Sequence, residues 1–217
     1  MLGINFSKTN GSISRVLCLG AHCDDIEIGC GGTILRLVES LEDIIVYWIV
    51  FSSDELRSQE AVRSARDFLK YSKMNNIIIK SFKDGFLPFF GIDIKEYFDN
   101  IKKEFSPDII FTHHRDDLHQ DHRLISEMTW NTFRDNFILE YEIPKYEGDL
   151  GHPNFFVNLD DIVCKNKIQH IINNFKTQSE KYWFREETFM AMLTLRGVES
   201  KSPTKYAEAF HCRKIIF

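Results

Sequence analysis

Two clusters of histidine and aspartate carry the residue types in this chain that could do chemistry. The first is His22-Cys-Asp-Asp25, and the second is His119-Gln-Asp-His122. Catalytic zinc binds imidazole nitrogen and carboxylate oxygen and keeps one coordination position open for water. The two clusters therefore predict a divalent metal ion held between them.

The first cluster offers two metal ligands and a general base. His22 and Asp25 are three residues apart, so both side chains can bend toward one ion. Asp24 would then lie beside the metal, where it could take a proton from an activated water molecule. The same Asp24-Asp25 pair could instead cap a helix in a solvated loop.

The second cluster leaves two arrangements open. His119 and His122, three residues apart, would share a face of a helix and could both bind the metal. Alternatively, His122 binds the metal while His119 faces the substrate and stabilises the developing negative charge. Asp121 could hydrogen-bond a histidine and fix its tautomer. Taken alone, the cluster is also typical of a solvent-facing helix start with Asp121 as the N-cap.

Four further polar residues precede the second cluster. Either His113 or His114 could reach the same pocket, and the sequence does not choose between them. Asp116 and Asp117 are interpreted as turn residues rather than catalytic ones.

Each cluster follows an apolar run that predicts a buried strand. Residues 16–19 precede the first cluster, and residues 108–111 precede the second. In open α/β sheets, ligands bind at the carboxyl ends of the strands. The glycines at 29, 31 and 32 are expected to turn the backbone from the first strand into a helix.

Strand and helix patterns alternate along the first two thirds of the chain, which indicates a parallel sheet with helices on both faces. The predicted strands are residues 15–19, 44–51, 76–82 and 108–112, and the predicted helices are 32–41, 55–71, 93–105 and 121–133. Farther along, strands are predicted at 137–143, 155–159 and 209–217, and helices at 162–175 and 179–195. We expect an α/β fold, a Rossmann-like, mostly parallel sheet in a single domain over residues 1–217, with residues 1–14 flexible or peripheral.

The composition of the chain argues against a nucleic-acid-binding protein and against a membrane-spanning one. The net charge of -5 and the scattered basic residues argue against nucleic-acid binding. The longest apolar run, residues 44–51, is much shorter than the ~20 residues that span a bilayer. No signal peptide is visible, and the five cysteines show no disulfide or zinc-finger spacing. We therefore expect a cytoplasmic protein.

The motifs together resemble the PIG-L/LmbE family of zinc-dependent N-deacetylases. Ala21-His-Cys-Asp-Asp25, with Gly31-Gly-Thr33 after it, is similar to the first family signature, A-H-P-D-D-E with a trailing G-G-T. His119-Gln-Asp-His122 is similar to the second, H-x-D-H. Weaker similarities extend along the chain, at Arg57-Ser-Gln-Glu60, Phe82-Lys-Asp-Gly85, Pro107-Asp-Ile-Ile-Phe-Thr-His113 and Lys205-Tyr-Ala-Glu-Ala-Phe210.

The resemblance implies a role for each matching residue. It gives His22, Asp25 and His122 as the ligands of one zinc ion per chain, although another divalent metal would also suit them. It gives Asp24 as the general base, His119 as the oxyanion-stabilising residue and Asp121 as a residue that orients an active-site histidine. It places Arg57 near the substrate, whereas the simpler interpretation of that residue is a helix-face arginine paired with an acidic neighbour.

Two positions depart from the family signature. Cys23 replaces the usual proline, which removes a fixed φ angle and puts a thiol beside the metal site. We expect its side chain to point away from the metal, because proline cannot coordinate. Ile26 directly follows Asp25, and the acidic residue comes one place later at Glu27.

The resemblance implies hydrolysis of an N-acetyl group on an amino-sugar conjugate, with acetate released by zinc-activated water. The expected partner is a small N-acetylated sugar conjugate. Two alternatives stay open: a metallohydrolase that acts on another amide or ester, and a non-catalytic sugar- or nucleotide-binding module. The aromatic-rich C-terminal half could also supply the interface of a homo-oligomer.

Overall fold

The computed structural model describes residues 13–41 and 43–216. The strands β1 to β7 are Arg15–Gly20, Ile45–Ser52, Met74–Phe82, Ile109–His113, Phe137–Tyr141, Phe155–Leu159 and Tyr206–Cys212. The helices α1 to α6 are Asp25–Ser40, Glu55–Phe68, Gly91–Glu104, Gln120–Thr132, Asp161–Asn174 and Glu186–Glu199, and two short 3-10 helices are Leu87–Phe90 and Lys176–Gln178. The expectation of a flexible segment at residues 1–14 falls outside the described residues, except for the last two.

The described strands form one seven-stranded sheet in the order β3-β2-β1-β4-β5-β7-β6. Neighbours among the first five strands pair in parallel, and β7 pairs antiparallel to both β5 and β6. This arrangement confirms the predicted α/β, Rossmann-like sheet. The chain runs outward in both directions from β1 and β4, so the crevice between their carboxyl ends is where such folds bind ligands.

Helices cover both faces of the sheet. One core packs the apolar sides of α1, α2, α5 and α6 against the sheet, with Trp48, Phe68 and Phe175 fully buried in it. The other core packs α3 and α4 against the opposite face, where Phe51 and Phe98 stack. Packing in the two cores holds α1 and α4, the helices that follow β1 and β4, in place against the sheet.

Helix α1 begins seven residues earlier than the glycine pattern predicted. The glycines therefore lie inside the helix, and the expectation that they turn the backbone was wrong. They are needed for close packing instead: a Cβ at Gly29 would lie 2.2 Å from the Tyr141 ring, and one at Gly32 would lie 2.5 Å from Leu159. The hydroxyl of Tyr141 donates to the carbonyl of Leu19 at 2.7 Å, so this packing holds the end of β1.

The predicted boundaries also fail near the C-terminus. The helix predicted at 179–195 begins at Glu186, because residues 179–185 form turns after the second 3-10 helix. The strand predicted at 209–217 is β7, which starts and ends earlier. None of the described helices has the length and apolar character needed to cross a membrane.

Candidate metal centre and active site

The ends of β1 and β4 bring the three predicted ligands together. His22 follows β1, Asp25 opens α1, and His122 lies in the first turn of α4. His22 Nδ1 is 3.1 Å from His122 Nε2 and 3.4 Å from Asp25 Oδ2. His122 Nε2 is 3.6 Å from Asp25 Oδ1. All three residues are more than nine-tenths buried.

These separations fit a tetrahedral zinc site. Zinc bonds of 2.0–2.2 Å in tetrahedral geometry place ligand atoms about 3.3–3.6 Å apart. Two imidazole nitrogens and a carboxylate are also a donor set that zinc prefers. The residues therefore fit the metal that the sequence predicts.

Asp117 contacts the ring nitrogen of His122 that faces away from the other predicted ligands. Its Oδ2 lies 2.9 Å from His122 Nδ1, and Lys145 Nζ donates to the same oxygen at 2.9 Å. Burial raises the pKa of Asp117, but His122 together with His113 and Lys145 outweighs it, and the pKa falls below its usual range. Asp117 is a turn residue, as predicted, since its backbone N–H donates to the carbonyl of His114 at 3.2 Å. Its carboxylate has a second role that the sequence did not predict, because it orients His122 so that Nε2 faces His22 and Asp25.

Of the two uncertain histidines, His113 faces the site. Its Nε2 lies 3.1 Å from Asp25 Oδ2, and its ring stacks on His122 with centroids 3.9 Å apart. His114 instead lies with Nδ1 3.1 Å from Glu140 Oε2. Their opposite directions follow from the alternation of side chains at the end of β4.

The predicted base and the predicted substrate residue contact each other. Arg57 donates to Asp24 Oδ1 at 3.0 Å, and its other terminal nitrogen lies 3.4 Å from Asp84 Oδ2. Burial raises the pKa of Asp24, with Arg57 opposing the rise. Arg57 is thus paired with acidic neighbours, and both of these neighbours belong to the site.

Asp84 is a site residue that the sequence reasoning missed. Its Oδ1 lies 3.0 Å from His22 Nε2, and the interaction with His22 lowers the pKa of Asp84 to about 2. Its side chain is 59% exposed, which places it at the mouth of the site. The only sequence signal was its place in the segment Phe82–Gly85, which is weakly similar to the family.

Asp121 ties the segment that carries Asp84 to the start of α4. Its two carboxylate oxygens accept the backbone N–H groups of Gly85 at 2.8 Å and Leu87 at 3.1 Å. Its Oδ2 also lies 3.4 Å from His22 Nε2. Asp121 is therefore placed beside an active-site histidine while it fixes the loop.

His119 is the N-cap of α4 rather than a residue of its first turn. Its Nδ1 accepts the backbone N–H of Asp121 at 3.2 Å. A neutral imidazole that accepts at Nδ1 carries its proton on Nε2. Burial and the nearby His22 lower the pKa of His119, which favours this neutral form. Its ring centroid lies 4.9 Å from that of His22 and 4.6 Å from that of His122, so Nε2–H is a hydrogen-bond donor beside the ligands.

Cys23 points away from these ligands. Its Sγ donates to the carbonyl of Ser52 at 3.5 Å, at the end of β2. Burial raises the pKa of this thiol well above its usual value, so the sulfur keeps its proton. The position thus serves packing, as the replaced proline would.

The charges of the site favour a cation. The site has two permanent cations, Arg57 and Lys145. They are outnumbered by the carboxylates that contact them or the histidines at 22 and 122, which are Asp24, Asp25, Asp84, Asp117, Asp121 and Asp149. Within the described residues, three sets of side chains could hold a metal ion, and all of them lie here. They are His22/His119/His122, Asp25/His113/His122 and His22/Asp84/Asp121, and the ligand atoms of each set lie within 4.8 Å of one another.

Comparison with known proteins finds relatives of this chain. A family model described as PIG-L, GlcNAc-PI de-N-acetylase, matches residues 17–133, which contain both clusters. The chain is 29% identical over 138 residues to the uncharacterized deacetylase YaiS of Escherichia coli K12, covering 59% of this chain and 74% of the relative.

Solved structures share the fold. The N,N'-diacetylchitobiose deacetylase of Pyrococcus horikoshii superposes with a TM-score of 0.68 at 22% identity, covering 93% of this chain and 84% of the other. GalB of Pseudomonas putida KT2440, a 4-carboxy-2-hydroxymuconate hydratase, gives a TM-score of 0.74 at 16% identity, covering 94% and 98%. Because a hydratase has the same fold, the chemistry of this chain has to be argued from its sequence family and its site.

Proposed function

This chain belongs to the PIG-L family of de-N-acetylases, which makes it a hydrolase of N-acetyl amides, and we propose that His22, Asp25 and His122 hold its zinc ion. The observation that carries this assignment is the triangle of facing ligand atoms, with sides of 3.1, 3.4 and 3.6 Å. A zinc ion bound there would polarise the acetyl carbonyl and make a water molecule more acidic.

Asp24 is the proposed general base. It lies directly before the ligand Asp25 and is buried, with Arg57 donating to one of its oxygens at 3.0 Å. This contact orients the carboxylate and leaves its other oxygen available to take the proton of the attacking water. Removal of that proton creates the strong nucleophile that an amide carbon requires.

His119 is the proposed partner of the negatively charged oxygen. Its Nδ1 is occupied by the backbone N–H of Asp121, so the Nε2–H can donate to the oxygen that gains charge as the amide is attacked. The proton that Asp24 has taken from the water is then available to the leaving amine, so that the carboxylate is regenerated. Asp121 positions His22 and the loop that carries Asp84.

The proposed substrate is an N-acetylated amino-sugar conjugate. The family model and the diacetylchitobiose deacetylase point to this class. Arg57 and Asp84 lie together at the mouth of the site and could contact the sugar beside the scissile amide. We further propose that the chain works as a single domain over residues 1–217 and in the cytoplasm.

The proposal is tested by metal content and acetate release. We expect about one zinc per chain in the purified protein and loss of this zinc in His122→Ala, measured by elemental analysis. N-acetylglucosamine and N,N'-diacetylchitobiose are then assayed for released acetate. A protein that takes up no zinc when zinc is added back would overturn the proposed mechanism and favour a binding module.

A further inference from the structure

A cavity of about 390 Å³ opens beside the loop that joins β4 to α4. This volume falls in the range of about 300–1,000 Å³ that is usual for small-ligand sites. None of the residues that line it is a proposed metal ligand or catalytic residue. The lining is polar, and it includes His114, Asp116, Asp149, His152, His211 and Arg213.

His114 brings a free ring nitrogen to this cavity. The residue is 7% exposed, and its Nδ1 lies 3.1 Å from Glu140 Oε2. Because a carboxylate only accepts hydrogen bonds, Nδ1 carries the proton of the neutral ring and Nε2 is left as an acceptor. Within the part of the chain that the structure describes, this Nε2 has no hydrogen-bond partner, and the Asp116 carboxylate lies 3.8 Å from it. A ligand with an O–H or N–H group would pair this nitrogen.

Gly151 keeps the free nitrogen of His114 open to the cavity. A Cβ at position 151 would lie 3.5 Å from His114 Nε2 and 3.0 Å from His211 Cε1. The ring of His211 stacks on that of His114 with centroids 3.7 Å apart, so the His114 ring is held in place. Any larger residue at position 151 would therefore cover the acceptor.

The charges around the cavity are nearly balanced. Arg213 is paired with Glu140 at 2.6 Å, and Asp149 is paired with Lys145 at 2.6 Å. The Asp116 carboxylate is 78% exposed and lies 3.8 Å from Arg213 Nη2, which is too far for a hydrogen bond. A ligand would thus meet donors and acceptors side by side without a strong net charge. Hydroxyl groups suit such a surface, because each of them both donates and accepts.

We propose that this cavity binds a second sugar unit of the conjugate, one that does not carry the reacting acetyl group. The inference rests on the proposed function, because it takes the substrate to be an amino-sugar conjugate. Hydroxyls of the second sugar donate to His114 Nε2 and to the Asp116 carboxylate, and they accept from the Arg213 guanidinium.

The cavity adjoins the active centre through one loop. Asp149, which lines the cavity, accepts the backbone N–H of Leu118 at 2.7 Å, and Leu118 directly precedes the proposed oxyanion partner His119. A conjugate that crosses this loop contacts both places at once. Contacts made equally in the bound substrate and in the transition state lower KM and leave kcat unchanged, so longer conjugates should have the lower KM.

The kinetic test uses the double variant Asp116→Ala/His152→Ala, which removes two exposed side chains from the lining. Acetate release gives kcat/KM for tetra-N-acetylchitotetraose and for N-acetylglucosamine at saturating zinc. We expect the ratio of the first value to the second to fall at least about 10-fold in the variant, through the KM of the tetrasaccharide. Glu147→Ala, an exposed carboxylate outside the lining, is the matched control and should keep the wild-type ratio.

A binding test measures the cavity apart from deacetylation. Cellotetraose has sugar hydroxyls but no acetyl group, and calorimetry of the zinc-loaded protein gives its Kd. We expect the wild type and Glu147→Ala to bind it equally. Gly151→Ala, whose methyl group would lie 3.5 Å from His114 Nε2, should bind it at least about 10-fold more weakly, as should the double variant.

The outcomes separate this inference from the proposed function. A wild type that does not bind cellotetraose overturns the inference, and so do wild-type affinity and a wild-type kinetic ratio in both cavity variants. Neither result affects the assignment of the metal centre. If no sugar releases acetate while cellotetraose binds the wild type and not the cavity variants, the proposed function is wrong and the cavity is still a sugar site.

Discussion

The carboxylate of Asp117 accepts a hydrogen bond from His122 Nδ1 at 2.9 Å, and this contact fixes which nitrogen of His122 faces the proposed metal. Both residues are buried, so water does not replace the contact easily. Carboxylates that orient metal-binding histidines raise the basicity of the ring and tighten metal binding. Asp117 is therefore a positioning residue for the metal ligand, supported by Lys145.

We expect Asp117→Asn to weaken zinc affinity by about 10- to 100-fold, because the amide is neutral and orients the ring less firmly. Affinity is measured by competition with a chromogenic chelator at pH 7. Asp116→Asn, the exposed neighbour, should keep wild-type affinity. Equal affinities in the two variants would mean that Asp117 does not act through His122.

Asp24→Asn should keep its zinc and lose about 10²- to 10⁴-fold of the rate of acetate release, the usual contribution of a general base. The measurement is kcat at saturating zinc, with bound metal determined on the same sample. Asp135→Asn, at an exposed turn, is the control for the same chemical change. Full activity in zinc-loaded Asp24→Asn would assign the base to another residue.

The sequence predicted the fold better than the lengths of its elements. Apolar runs and the helical spacing of apolar residues identified β1 through β6 within a few residues, because a strand buried on both faces is apolar throughout and an amphipathic helix repeats every 3.6 residues. The prediction of where α1 begins was wrong, because glycine is unfavourable inside a helix but is required at positions 29 and 32 by the close approach of the Tyr141 ring and of Leu159. A contact between distant parts of the chain decided that case, and no local pattern reports it.

The residues of the candidate site were also predicted only in part. His22, Asp25 and His122 could be predicted because their types and spacing match metal chemistry and a known family. Asp84 and Asp117 could not be predicted, since each looks like an ordinary turn aspartate in the sequence. Asp84 gains its role from His22, which is far away in sequence, and Asp117 gains its role from His122, which the fold turns toward it.

Gly29→Ala should destabilise the protein by about 1–3 kcal/mol, because the added methyl would lie 2.2 Å from the Tyr141 ring and force the packing apart. Urea unfolding followed by circular dichroism measures the change. Gly91→Ala is the matched control: nothing lies within 4 Å of its added Cβ, so stability should be unchanged or slightly higher. A stable Gly29→Ala protein would contradict the packing role of this glycine.

Glu140 should make stability depend on pH in the acidic range. It is fully buried, and although burial raises its pKa, His114, Arg213 and the backbone N–H of Arg115 lower it to about 2. A carboxyl whose pKa is lower in the folded state stabilises the protein above its unfolded pKa of about 4.3, and this contribution is lost as pH falls toward 2. The shift corresponds to roughly 3 kcal/mol at neutral pH.

The test compares Glu140→Gln with the wild type in urea at pH 7 and at pH 3. Glutamine cannot ionise, so we expect Glu140→Gln to be less stable than the wild type at pH 7. As the pH falls, the wild type loses the stabilisation from its carboxylate, and the difference in free energy of unfolding between the two proteins should shrink. Glu147→Gln, at an exposed position, should follow the wild type at every pH. A difference that is the same at pH 7 and at pH 3 would mean that the Glu140 side chain contributes through its shape and hydrogen bonds alone, and that its negative charge beside Arg213 does not stabilise the fold.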